Sequence, residues 1–380
     1  MLTRIVRDIT ANLHQQFQRL CLLAIFLFAT WQLQAQKSDT TNQKDRDFAI
    51  YPAISYQPET RLQLGAIAFI VISDEQDARK TYYRLTSISP YVLYTLNNQL
   101  ITSIDYEGYL DNGWLVTANP RFLDYPDFYY GIGIDSRLED EERFDDTYFG
   151  LEAKVLKEKS PNLFIGGRLD FRTDRLSAFD ENGALLENRP AGLEGGQLLG
   201  LGPSLLWDTR NNVLWPTSGH YLNAEFSLFT DVLGLDYSYG SYLIDYRKYK
   251  SLWNEKNVAA FQVQLNGRAG SEIPFYTLPK IGGDERLRGI ANENLYRNNN
   301  AIFVQAEVRK DLFWRFGGVL FAGTGTVFQD WGNPIDQMRV VYGLGGRMQA
   351  LRDQKLNIRV DFGFSQDGQN ALYVSIKEAF

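Results

Sequence analysis

The chain has 380 residues, a formal net charge of −7 and 14% aromatic residues. That acidic balance argues against the basic surface a nucleic-acid binder requires, and the single cysteine, Cys21, rules out an internal disulfide framework. The two histidines, His14 and His220, leave no His-based metal cluster and no Ser-His-Asp triad except one built on His220.

The first element in chain order is the apolar run from Cys21 to Ala29, preceded by Arg4, Arg7 and Arg19 and followed by Leu33, Gln34 and Ala35. A basic stretch, a short apolar run and a small-residue site are the parts of a secretory signal, so residues 1–35 read as a signal peptide. The run is too short to cross about 30 Å of hydrocarbon as a retained helix. Cys21 precedes the end of the run, so it is not the acylated residue of a lipoprotein. Residues 36–59 begin polar and charged (QKSDTTNQKDRD) and read as a periplasmic leader.

From Thr60 to Phe380 the sequence alternates with a period of two. Ile302, Val304, Ala306 and Val308 alternate with Gln305, Glu307, Arg309 and Asp311. Leu356, Ile358, Val360, Phe362 and Phe364 alternate with Asn357, Arg359, Asp361, Gly363 and Ser365. Successive strand side chains point to opposite faces, so each such segment has one apolar and one strongly polar face. The polar face is rich in charge, Gly, Gln and Asn, as a wet lumen requires. Most of the segments are longer than strands of soluble sheets and approach the length of a tilted strand crossing a bilayer. Aromatic pairs such as Tyr82-Tyr83, Tyr129-Tyr130 and Phe313-Trp314 stand near strand ends, where rings with a polar handle favour the headgroup level.

Sixteen segments are predicted, at 60–72, 81–92, 98–108, 112–119, 127–137, 145–156, 162–174, 195–207, 218–230, 236–249, 256–270, 300–312, 317–329, 338–349, 355–366 and 371–380. An even count returns both ends of a barrel to one side. Connections after the second, fourth, sixth, twelfth and fourteenth segments are short; those after the seventh and eleventh are long. If the short set is periplasmic, both long loops lie outside. The fold class expected is an all-β, 16-stranded antiparallel transmembrane β-barrel.

The segment with the most specific pattern is the run from Ile281 to Ile290 (IGGDERLRGI) in the second long loop. Gly282, Gly283 and Gly289 allow turns with positive φ and close backbone approach. Arg288 between them carries a planar head of five donors suited to carboxylates. Chemistry alone leaves an exposed charged loop as an equal alternative.

This run resembles the signature of the sixth extracellular loop in the BamA/TamA surface-antigen superfamily of outer-membrane assembly barrels. The family's V-R-G-F/Y tetrad after a Gly-Gly turn corresponds to Leu287, Arg288, Gly289 and Ile290. Further stretches match in order: Tyr56 to Thr60, Asp208-Thr209-Arg210 with Pro216 and Gly219, Ala306 to Arg309, and Phe321 to Val327. The resemblance implies that the loop folds back into the lumen and that Arg288 pairs with acidic residues of nearby strands. Glu307 and Asp361, on the polar faces of their segments, are the expected lumenal partners. The family often carries an acidic residue where Gly323 stands, and an aromatic where Ile290 stands. Phe380 matches the terminal aromatic by which such barrels are read by the outer-membrane assembly machinery, with Leu372, Val374 and Ile376 on its face.

No enzymatic activity, metal or cofactor is expected. His220 abuts a turn, Asp208 with Arg210 reads as a turn ion pair, and the Gly-rich stretches 323–325 and 343–346 lie inside strands and are not phosphate loops. The acidic cluster Glu139 to Asp146 reads as a solvated outer loop, with bound Ca²⁺ or lipopolysaccharide as the alternative. The resemblance is to a short, barrel-only branch without periplasmic polypeptide-transport-associated domains, in the outer membrane of a Gram-negative cell. The function it implies is assistance in inserting or remodelling outer-membrane proteins or lipids. The partners are then membrane lipids, lipopolysaccharide, the assembly machinery and client barrels, with no nucleic acid. A pore or structural barrel that has lost the assembly role is the alternative, and a surface adhesin is a third reading.

Overall fold

The computed structural model describes residues 46–57, 60–72, 86–232, 235–253, 256–332, 337–351 and 356–380. The signal reading of residues 1–35 and the start of the leader lie outside the described residues. Strands follow in the order β1 (Arg46–Gln57), β2 (Arg61–Ile72), β3 (Thr86–Thr95), β4 (Leu100–Leu110), β5 (Trp114–Tyr129), β6 (Glu142–Ser160), β7 (Leu163–Ser177) and β8 (Gly196–Asp208). The second half comprises β9 (Gly219–Phe229), β10 (Tyr239–Ser251), β11 (Asn257–Ala269), β12 (Asn300–Phe313), β13 (Phe316–Phe328), β14 (Arg339–Leu351), β15 (Leu356–Ser365) and β16 (Asn370–Ile376). Each strand pairs with its chain neighbours and β16 pairs with β1, which closes the sheet into a barrel. A single helical turn and a half, α1 (Ala184–Asn188), lies between β7 and β8.

The alternation sorts the side chains as a bilayer demands. On β12, Phe303, Gln305, Glu307 and Arg309 are buried inside the barrel while Ala306 and Val308 are exposed on its outer wall. The outer wall also exposes Phe149, Leu201, Ile244, Phe261, Leu320 and Leu344. Charges inside and large apolar side chains outside invert the arrangement of a soluble protein. Among the described residues no helix is long and apolar enough to cross a membrane; the crossing elements are the strands.

The strand count matches the expectation, but several boundaries do not. The barrel begins inside the segment read as leader: β1 pairs with β2 in unbroken register from Arg46↔Ile72 to Gln57↔Arg61. The segment expected at 112–119 lies largely within one 16-residue strand, β5, which also takes the first three residues of the segment expected at 127–137; residues 130–137 belong to the connection to β6. Missing β1 and splitting β5 cancelled in the total. As a result, the connection expected at the short-turn end between the second and third segments lies at the opposite end. The one expected after the fourth segment falls within β5. From β6 onward the assignment of ends stands, with the long connections opposite the end where β1 starts and β16 finishes.

The split falls at Pro120 and Pro126, and the pairing shows how the sheet accommodates them. Pro120 keeps its partner Leu151 on β6, while pairing to β4 lapses between Ser103↔Arg121 and Tyr106↔Ala118. Pro126 lies beyond Asp124, the last β5 residue partnered by β4. Pro203 faces Gly167 of β7 where pairing to β9 lapses between Leu201↔Leu228 and Ser204↔Glu225. A proline removes one donor only, so a strand survives it where one neighbour is already unpaired.

The loop-bearing end is closed by an apolar cluster that joins Tyr129, Phe144, Leu176, Leu185 of α1 and Leu198 to Phe275 and Tyr276 of the β11–β12 connection. The long connection then descends into the lumen. A chain that begins at Thr60 lacks β1 and leaves two unpaired edges, so it is expected to give no compact, heat-modifiable species on refolding into lipid vesicles. A chain that begins at Asp45 should give it. Equal folding of the two would restore the boundary at Thr60.

Candidate functional site

The segment from Phe275 to Ile290 is shaped by its own backbone before it meets the wall. A tight turn has Thr277 N donating to Pro274 O at 2.9 Å, and Leu287 N returns to Ile281 O at 3.1 Å, closing a small ring of chain. Gly283 and Gly289 adopt φ of 121° and 151°, conformations that side chains with a Cβ rarely take. Gly282 is buried in the same ring. Leu287 and Ile290 enter a buried apolar cluster with Ile281, Leu295, Phe303 and Val341. Thus Ile290 serves packing, and Gly323 leaves space that Leu287 occupies: a Cβ at Gly323 would stand 2.7 Å from Leu287 Cδ2.

The backbone at Arg288 and Gly289 lies directly on β15. A Cβ added at Gly363 would stand 2.0 Å from Arg288 O, and one at Gly289 would stand 2.7 Å from Phe364 O. Two glycines facing each other therefore permit the contact. Tyr373 of β16 fastens the next residue, its hydroxyl donating to Ile290 O at 2.9 Å.

This placement drives the Arg288 side chain across the lumen. Its Nη2 donates to Glu307 Oε2 at 2.5 Å and its Nη1 to Asp361 Oδ2 at 2.6 Å, with all three side chains fully buried. The two carboxylates selected by alternation and motif thus meet the arginine together, one from β12 and one from β15. The guanidinium carbon also lies 3.9 Å from the Phe321 ring centre, a cation–π contact supplied by the wall strand β13. Burial opposes the charge on Arg288, but Asp361 and Glu307 outweigh it and hold the group above its ordinary pKa, so it is a cation at every physiological pH.

The pair is part of a larger lattice. Asp361 also accepts from Arg347 Nη1 at 2.5 Å and Arg359 Nη1 at 3.0 Å. Glu307 accepts from Arg309 Nε at 2.6 Å, and Arg359 Nη2 reaches Asp284 Oδ2 of the loop at 2.7 Å. Glu378 accepts from Arg347 Nε at 2.8 Å and from Asn357 Nδ2 at 3.0 Å. Four arginines are thereby met by four carboxylates. Charge-assisted bonds of this density are what make buried ions tolerable. Sequence reading had Arg309 and Arg359 on polar faces without assigning them here, and parity extended to Arg347 would have brought it in.

The chain end departs from expectation. Phe380 was expected to continue the outer face of β16, but β16 stops at Ile376 and Lys377 turns the chain at a φ of 72°. Phe380 is buried inside against Tyr249 and Ala260, and its carbonyl accepts from Arg309 Nη2 at 2.7 Å. Glu378 follows it inward because the lattice offers it two guanidinium groups. Between β1 and β16 the register among the described residues holds one pair, Tyr56↔Val374; continued downward, it would set Lys377 opposite Ala53 and Phe380 opposite Ile50. Among the described residues, that stretch of β1 has no register partner on its β16 side.

Elsewhere, Asp208 and Arg210 form the turn ion pair, with Nη2 2.7 Å from Oδ2. His220 stacks on Trp207 at 5.7 Å and its Nδ1 lies 2.7 Å from Tyr246 Oη. Among the described residues no group of His, Cys, Asp or Glu is arranged to hold a metal ion.

A closed sixteen-stranded barrel whose eleventh connection returns into the lumen on an arginine defines a class of outer-membrane protein. The chain belongs to the Omp85 superfamily, whose domain matches residues 62–376. That match starts after β1 and ends with β16, so neither the closing strand nor the inward tail lies within it. No curated protein matches the sequence. Among solved structures, the fold is similar to BamA from Haemophilus ducreyi lacking POTRA domains 1-3, with TM-score 0.61 and 14% identity over 89% of this chain and 71% of that one. It is also similar to CdiB from Acinetobacter baumannii, with TM-score 0.56 and 13% identity over 89% of this chain and 60% of that one.

Changing Arg288 to Ala strands Glu307 and Asp361 with one cation fewer. Loss of one partner of a buried pair costs about 3–5 kcal/mol, so the variant should unfold at lower urea concentration and lose heat-modifiable gel mobility at lower temperature. An unchanged unfolding midpoint would remove Arg288 from any bracing role.

Proposed function

We propose that this outer-membrane barrel helps to insert or remodel proteins or lipids of a Gram-negative outer membrane through the seam between β1 and β16. The observation that carries the reading is the seam itself, with a single register pair among the described residues beside fully zipped neighbours such as β1–β2. An unpaired strand edge is a template for an incoming strand, and the hydrocarbon beside it gains from any partner that satisfies its amides. The Arg288 lattice fits the same reading, because it braces β12 to β15 from within while the seam is left loose. Strand exchange needs no covalent chemistry, so the reading assigns no catalytic residue, metal or cofactor. The partners are client barrel proteins, surrounding lipid and lipopolysaccharide, and the machinery that inserts the barrel itself.

A conducting pore is the weaker alternative. The apolar cluster covers the loop-bearing mouth, and the tail residue Phe380 is packed inside the other half.

Tyr56 and Val374 face one another across the seam, within reach of a disulfide in an antiparallel pair. Tyr56→Cys with Val374→Cys should cross-link under oxidation. Oxidised cells should then show the same loss of other outer-membrane barrels as a deletion strain in quantitative proteomics, and reductant should restore them. An unchanged outer-membrane proteome in the deletion strain would sink the assembly reading. A cross-linked barrel with full activity would sink the seam.

A further inference from the structure

Away from the Arg288 lattice, on the β6–β11 side of the lumen, lies a polar cavity of about 290 Å³ lined by Tyr148, Arg168, Arg172, Arg268 and Tyr276 among others. Its size is at the lower end of small-molecule sites. The charges around it can be followed one by one. Arg172 is taken by Asp174, its Nε 2.8 Å from Oδ1. Arg168 is taken by Asp170 and Glu225. Asp170 is further satisfied by Ser227 Oγ at 2.8 Å, and Glu225 by Lys154 and by Asn223 Nδ2 at 2.8 Å. Glu152 stands between Arg121 at 3.5 Å and Arg168 at 3.8 Å.

Arg268 of β11 is the exception. Its Nη1 donates to neutral oxygens only, Asn266 Oδ1 at 2.8 Å and Gly267 O at 3.0 Å, and its Nε has no partner. Among the described residues, the other strand arginines of the lumen, Arg121, Arg168, Arg172, Arg247, Arg309, Arg347 and Arg359, each have a carboxylate within 4 Å. A second donor reaches the cavity from the loop. Tyr276 is 6% exposed, yet its hydroxyl has no partner. Burial, reinforced by Asp174, raises its pKa, so it carries its proton at neutral pH. A buried donor without a partner costs free energy that a bound acceptor recovers.

We propose that this cavity binds one small organic carboxylate, held between the Arg268 guanidinium and the Tyr276 hydroxyl. The class follows from the charges. Among the described residues no carboxylate lies within 4 Å of the Arg268 guanidinium, and Asp170 and Glu152 act on it only from farther off, which leaves room for a single added negative charge. Asp170, Glu152 and Glu225 line the same space, which disfavours a phosphate dianion. Planar carboxylate oxygens match the free edge of the guanidinium. A ligand so placed would tie the base of the long connection to β11, on the side of the lumen away from Arg288.

The test uses the full-length mature barrel folded in lipid nanodiscs and titration calorimetry with acetate, with chloride and phosphate at matched ionic strength as comparisons. Saturable acetate binding is expected, weakened by about tenfold or more in Arg268→Gln and less strongly in Tyr276→Phe, which keeps the buried ring. Heat-modifiable mobility reports that each variant is folded, and Tyr276→Phe carries the test if Arg268→Gln is not. Absence of saturable acetate binding to the wild type would overturn the site. So would binding as tight as that of the wild type in both folded variants. Phosphate binding as tight as acetate would overturn the carboxylate assignment.

Discussion

Hydrocarbon offers a backbone amide nothing to bond to, and every large feature of this molecule answers to that fact. Strands in lipid must find partners on both sides, so the sheet closes and β16 meets β1. Closure divides space into a dry outside and an inside that can hold charge. Alternation then follows from the division, since each strand must present one kind of side chain to each. Buried Arg309 beside exposed Val308 is the result at the scale of two residues.

The same constraint explains why the interior is ionic rather than merely wet. Once an arginine has been enclosed beside a returning loop, leaving it unpaired would cost several kcal/mol. The lattice settles that cost by sharing: Asp361 serves Arg288, Arg347 and Arg359 at once. Shared carboxylates make the loop, three wall strands and the chain end one electrostatic unit. The Arg288 carbonyl resting on Gly363 shows that the loop backbone, and not only its side chain, is part of that fit.

How much of this was legible in the sequence depended on whether polarity differed between the two faces of a strand. On β12 and β15 it differs sharply, and parity alone put Glu307 and Asp361 inside. β1 gave no such contrast, because its inward positions Tyr51, Ala53 and Ser55 are nearly as apolar as Ile50, Pro52 and Ile54. A strand apolar or neutral on both faces, following a charged leader, has no visible start. β5 failed differently: Pro120 and Pro126 are breakers in isolation, and only the lapse in pairing to β4 shows that their missing donors were not needed. The tail was misread because alternation carries no information about where a strand stops. Lys377 interrupts it through a backbone conformation, which no pattern of polarity records.

The chain end shows two demands in competition. Extended, the last four residues would satisfy amides along β1 and complete the seam. Turned inward, they give Glu378 to Arg347 and the Phe380 carbonyl to Arg309, at 2.8 and 2.7 Å, and bury a phenyl ring. The first choice recovers several backbone hydrogen bonds, each worth about 1 kcal/mol net in water and more in lipid. The second brings a carboxylate to the buried Arg347 and an acceptor to the buried Arg309, groups whose enclosure in a low-dielectric interior costs more per group. The lattice wins, and its price is an open edge on β1. Arg309 and Arg347 also contact Glu307 and Asp361, the partners of Arg288, so the returning loop and the inward tail are held by one shared set of ions.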